Sequence, residues 1–137
     1  MAKLRLDRIR VLVVDDDAGF VEYLHAELGR SEAVDVVGGA TESEAALRAV
    51  DELRPDVVLI DVDMPGLDGV EATKLVLERH ADTAIILVSG SDYQEKALEG
   101  RDAGALDYVR KSRIAEELVG AICTAAQEKR RLRVVRV

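Results

Sequence analysis

The sequence predicts a doubly wound α/β domain built on a five-stranded parallel sheet. Three observations carry this prediction. Short apolar runs rich in β-branched residues recur at 9–14, 34–37, 57–60, 84–88 and 106–109. Most are continuous instead of alternating, the pattern of strands covered on both faces. Between them apolar residues fall at helical spacing, so strand and helix alternate along 137 residues, the length of one ordinary domain.

Each element has its own signals. The first strand, 9–14, runs into Asp15-Asp16-Asp17, and the helix after it shows Phe20, Leu24 and Leu28 at intervals of four. The second strand, 34–37, precedes Thr41 and Glu44, whose spacing is that of a capping box opening the stripe Ala45, Ala46, Ala49, Val50 and Leu53. Pro55 and Pro65 bracket the third strand, 57–60, without interrupting it. Val70, Thr73, Val76 and Leu77 mark a helix over 67–80. After the fourth strand, 84–88, Ser91 and Gln94 have capping-box spacing at the start of a more polar helix over 92–102. The fifth strand, 106–109, leads to Ser112, placed to cap a last helix with Ile114, Leu118 and Ile122 on its inner face. Five such units with right-handed crossovers give the flavodoxin-like strand order 2-1-3-4-5.

Composition excludes several function classes. At 48% hydrophobic and 34% charged, the chain is neither disordered nor membrane-spanning. Its apolar runs fall far short of the ~20 residues of a transmembrane helix. Residues 1–7 hold no apolar stretch of the signal-peptide kind, and a lone Cys123 makes no internal disulfide, so a cytoplasmic location is expected. Five of the 19 basic residues (Lys129, Arg130, Arg131, Arg133 and Arg136) lie in 129–137, which leaves 14 basic against 27 acidic groups, net −13, on the other 128 residues. A body so acidic repels nucleic acid. We read 1–128 as the domain and 129–137 as a basic tail or linker, a solvated helix end.

The predicted order sets the C-terminal ends of strands one, three, four and five side by side. The first leads to Asp15 and Asp16, the third to Asp61 and then Asp63, the fourth to Ser89, the fifth to Lys111. Neighbouring strands lie roughly 4.8 Å apart, so these carboxylates crowd one another and raise one another's pKa values. A divalent cation removes the conflict, and oxygen ligands with room for water suit Mg²⁺. The edge reads as a phosphoryl-transfer site: Asp61 the carboxylate nucleophile, Mg²⁺ and Lys111 neutralising the transferred group, Ser89 bonding one of its oxygens. No phosphate-cradling GxxxxGK[ST] loop is present, so the chain receives phosphate and does not bind a nucleotide.

Here the sequence resembles the receiver domains of two-component response regulators. The resemblance spans about residues 8–128 and rests on Val13-Val14-Asp15-Asp16-Asp17, on the stretch from Asp61 to Gly69, on Val88-Ser89-Gly90, and on Gly104 to Lys111. It implies that Asp61 is the phosphoacceptor. It also implies that Asp16 and Asp61 bind Mg²⁺ through their side chains, Asp63 through its carbonyl and Asp15 through water. Ser89 matches the family's switch hydroxyl, Tyr108 its switch aromatic, and Lys111 the lysine that pairs with the phosphoryl group. The implied donor is a phosphohistidine on a sensor histidine kinase or phosphotransfer protein, or acetyl phosphate. The implied readout is a changed surface on the fourth helix, fifth strand and fifth helix, a surface that also serves homodimers.

Two positions depart from the family pattern. Ser112 replaces the common proline after the lysine, so a trans link and a differently set loop are expected, as in receivers joined to helix-turn-helix output domains. Asp63 should face the site mouth, where its charge is expected to alter dephosphorylation. Three other readings stay open. One is a haloacid-dehalogenase-type phosphatase, suggested by Asp61-Val62-Asp63; another is a flavodoxin-like binding module; the last is a phosphorylation-independent interaction domain. Cys123 reads as a small core residue, and His25 and His80 as surface positions.

Overall fold

The computed structural model describes residues 8–66, 68–90 and 94–135. The chain runs β1 (Ile9–Val14), α1 (Ala18–Leu28), β2 (Val34–Ala40), α2 (Ser43–Leu53), β3 (Val57–Asp61), α3 (Gly69–Arg79), β4 (Ala84–Ser89), α4 (Gln94–Ala103) and β5 (Asp107–Arg110). A 3-10 turn over Lys111–Arg113 then leads into α5 (Ile114–Val135). All strand pairs are parallel and the order is β2-β1-β3-β4-β5, as predicted.

The continuous apolar strands divide their side chains between two cores. On one face Val11, Val13, Leu59, Ile86 and Val88 pack with Leu24 and Leu28 of α1 and Leu118 and Ile122 of α5. On the other, Leu12, Val14, Val58, Ile60, Ile85 and Leu87 pack with Val50 of α2 and Val70 and Val76 of α3. Each large aliphatic side chain so buried contributes roughly 1.5–3 kcal/mol. Continuous hydrophobic strands are therefore what a sheet covered on both faces requires.

The structure departs from the sequence pattern at element ends. β2 continues past the predicted 34–37 through Gly38 and Gly39 to Ala40, with a register shift against β1 at Val11/Leu12. A Cβ at Gly39 would sit 2.7 Å from Val21 Cγ1, so the glycine marks where α1 closes on the sheet, not where the strand stops. α2 starts after Glu42 with no side-chain cap bond, so the Thr41/Glu44 capping box does not form. The Ser91 cap lies outside the described residues. Ser112 sits inside the 3-10 turn, one residue into helical backbone, instead of capping α5. No cis peptide occurs among the described residues, in accord with the trans link expected after Lys111. α5 runs unbroken to Val135, and Lys129 donates to the Ala81 carbonyl at 3.0 Å.

Candidate functional site

Register builds the site. Val14 pairs with Ile60, Asp61 with Val88, and Ser89 with Arg110. The residues immediately after β1, at the ends of β3 and β4, and after β5 therefore share one edge, which is what the sequence argument needed. Asp15 is buried, its N–H held by the Ala40 carbonyl at 3.0 Å, and its Oδ1 accepts from the Asp17 N–H at 2.9 Å. Asp17 in turn caps α1, its Oδ1 accepting from the N–H groups of Gly19 and Phe20. Asp61 is 5% exposed, and its Oδ1 accepts from the Asp63 N–H at 3.3 Å. The loop after it folds back so tightly that a Cβ at Gly69 would lie 2.6 Å from the Asp61 carbonyl oxygen. Only glycine fits there, and Asp68 caps α3 beside it by accepting from the Glu71 N–H at 2.9 Å.

Carboxylate oxygens of Asp15, Asp16 and Asp61 lie within 4.8 Å of one another. Among the described residues one ammonium stands beside them: Lys111 Nζ is 2.8 Å from Asp15 Oδ2 and 4.0 Å from Asp61 Oδ2. Three negative groups against one positive group leave an excess of negative charge. Burial pushes the Asp61 carboxyl up to about 6, the Asp15 charge adds to this, and Lys111 and the Asp63 N–H offset part of it. Burial by itself lowers the Lys111 pKa, but contact with Asp15 and the charges of Asp61 and Asp16 outweigh it and hold the ammonium above its ordinary range. Asp15 Oδ2 is buried with that ion pair and no directional hydrogen bond. A hard, small, divalent cation fits this donor set, since it needs several oxygens and tolerates an exposed side where Asp16 and Asp63 face solvent.

The remaining predicted residues fall as follows. Ser89 is fully buried at the end of β4. Tyr108 lies half-buried on β5, against the core that holds Leu87, and helps line a cavity of about 290 Å³ with Ala97, Arg101 and Leu106. Asp63 is exposed. His25 is exposed as expected, and Cys123 packs half-buried against the core. His80 is not a plain surface residue: its side chain is 12% exposed and Nε2 lies 2.7 Å from Asp51 Oδ1. The sequence reading missed this pair because Asp51 and His80 lie 29 positions apart. It also missed Phe20, assigned to the core stripe, whose ring carries Lys111 Nζ 4.1 Å from its centroid. The Asp17 and Asp68 caps were missed too, although each precedes a helical period, the signal that could have found them.

A family model now bears on the open readings. The response regulator receiver domain matches residues 11–123. The chain belongs to that family. It is 36% identical over 124 residues to the transcriptional regulatory protein LiaR of Bacillus subtilis, covering 90% of this chain and 59% of LiaR. It is 34% identical over 114 residues to protein-glutamate methylesterase/protein-glutamine glutaminase 3 of Geobacter sulfurreducens, covering 82% of this chain and 30% of that protein. The response regulator domain of Thermotoga maritima CheB superposes with a TM-score of 0.81 at 33% identity, covering 88% of this receiver and 97% of that domain. The receiver thus spans under two thirds of its curated relatives, and those relatives carry different activities. Its own role is in phosphorelay signalling. The phosphatase reading also loses its structural basis, because Asp61-Val62-Asp63 follows β3 and not the first strand. Among the described residues no helix is long and apolar enough to cross a membrane.

Proposed function

We propose that Asp61 accepts a phosphoryl group, with Lys111 and Ser89 stabilising it and Tyr108 carrying the change outward. The observation that supports this most is the excess of negative charge at one sheet edge, where among the described residues three carboxylates gather beside one ammonium. Asp16 and Asp61 through their side chains, Asp63 through its carbonyl, and Asp15 through water would hold Mg²⁺. When bound, that ion supplies positive charge against the oxygens of the incoming group.

The chemistry of the chain's own residues follows from position. With a pKa of about 6, Asp61 is mostly ionised at pH 7 and so available as a nucleophile. A carboxylate oxygen attacks phosphorus, a new P–O bond forms, and the bond to the donor breaks; the donor is a phosphohistidine nitrogen of a sensor kinase or phosphotransfer protein, or acetate of acetyl phosphate. Lys111 leaves Asp15 to pair with a phosphoryl oxygen, and the buried Ser89 hydroxyl bonds another. Tyr108 then turns toward the space Ser89 vacates, and the surface of α4, β5 and α5 changes for a partner or a second copy. Apart from accepting and losing its own phosphoryl group, this domain turns over no substrate. Residues 1–128 form the domain and 129–137 a basic tail, and the setting is the cytoplasm.

Intact mass after acetyl phosphate and Mg²⁺ tests the assignment. One added phosphate on the parent and none on Asp61→Asn is the expected result. Equal labelling of both proteins removes Asp61 from the role.

A further inference from the structure

We propose that Phe20 is a positioning residue for Lys111: its ring face holds the ammonium over the site and lets it pass from Asp15 to the phosphoryl group without escaping to solvent. This rests on the assignment of Lys111 to the phosphoryl oxygens. The geometry starts with the lysine. Its side chain has four rotatable bonds and remains 27% exposed, so one carboxylate does not fix it. Its path is bounded by Gly90, where a Cβ would stand 3.9 Å from Lys111 Cδ, and its tip lies 4.1 Å from the Phe20 ring centroid. That separation is well inside the range of a cation–π contact.

The ring is itself held in place. Phe20 is the third residue of α1, and its N–H donates to Asp17 Oδ1 at 3.3 Å, so the residue beside the acidic cluster fixes the turn that aims the ring. Tyr23, one turn on, lies against it with centroids 5.8 Å apart and planes tilted by 34°. Phe20 is the chain's one phenylalanine, and aromatic residues make up 3% of the sequence, so this pair is no sample of an aromatic core.

The contact has a use that another carboxylate lacks. Asp15, at 2.8 Å, holds the ammonium more closely than Asp61, at 4.0 Å, so pairing with a group on Asp61 requires lateral movement. A close ion pair with a buried carboxylate resists that movement. Attraction to a ring face is less directional than pairing with a carboxylate oxygen, so it holds the ammonium near the site while it changes partner.

Initial phosphorylation rates with acetyl phosphate and saturating Mg²⁺ test this in the full chain. Phe20→Leu is expected to be about fivefold slower, the rate equivalent of about 1 kcal/mol, and Phe20→Tyr within about twofold of the parent. In a Lys111→Met background, Phe20→Leu is expected to change nothing further. The Lys111 Cε–H resonances, shifted upfield by the ring, should return toward ordinary lysine values in Phe20→Leu, while calorimetric Mg²⁺ affinity stays the same. Phe20→Met serves if Phe20→Leu does not fold. An equal slowing in both lysine backgrounds, or lysine resonances indifferent to the substitution, overturns the proposal. Absence of label on the parent overturns the Asp61 assignment instead, and this inference with it.

Discussion

The two edges of the sheet both gather acids, and they treat them in opposite ways. At the N-terminal edge each charge the structure pairs is matched locally. Both oxygens of Asp51 are taken, one by Arg79 at 2.9 Å and one by His80 at 2.7 Å. Asp56 Oδ2 accepts from the Arg10 N–H, while the Arg10 guanidinium bonds the Arg54 carbonyl at the end of α2. At the C-terminal edge Asp15, Asp16 and Asp61 share Lys111. The bond from His80 and the charge of Arg79 hold the Asp51 carboxyl below its usual range, whereas burial pushes Asp61 up to about 6. A cavity of about 390 Å³, lined by Arg54, Asp56, Arg79 and His80, lies at the paired edge. Unmatched charge, not a cavity, sets the C-terminal edge apart.

The largest consequence is in metal uptake. Calorimetric titration with Mg²⁺ should show one site on the parent, weakened by at least about tenfold in Asp16→Asn and unchanged in Asp51→Asn. Equal affinities in all three proteins would erase the distinction between the edges. The next consequence is in stability without metal. A carboxyl whose pKa is raised from 3.8 to about 6 on folding binds more protons folded than unfolded between those values, so stability falls as pH rises through that window. Asp61→Asn removes the penalty. In EDTA at pH 7.5 it should be more stable than the parent by about 1–2 kcal/mol in urea unfolding, the gap closing as pH falls toward 4. A destabilised Asp61→Asn would mean that the carboxylate is structurally satisfied after all.

The same contrast explains what could be read from the sequence. Strand order, both cores and the gathering of Asp15, Asp16, Asp61, Ser89 and Lys111 were legible, because each follows from local periodicity plus one topological rule. A residue at a strand end is placed by the strand, whatever its side chain does. Phe20 over Lys111 was not legible, nor was Asp51 with His80, because these contacts join side chains on separate elements and depend on where each helix lands. The end of β2 was missed: the predicted strand stops at Val37, while in the structure Gly38 and Gly39 pair with Leu12 and Val13, and Gly39 lets α1 approach. Thr41 misled, since capping spacing does not ensure that the helix starts there.

The smallest effect belongs to the paired edge and is the sharpest control. Asp51 is exposed, so solvent screens its partners and its pair with Arg79 stabilises weakly. Because its folded pKa is lowered, its contribution is present above the unfolded value of 3.8 and is lost as pH falls through the folded value. Asp51→Asn should therefore lower the urea midpoint slightly at pH 6 and by progressively less as pH falls below 3.8, and 1 M NaCl should shrink the difference. Its rate of phosphorylation should equal that of the parent, because nothing at this edge touches Asp61. A slowed rate with an unchanged midpoint would show that the two edges are coupled through β3 and β4, and the division of labour drawn between them would fail.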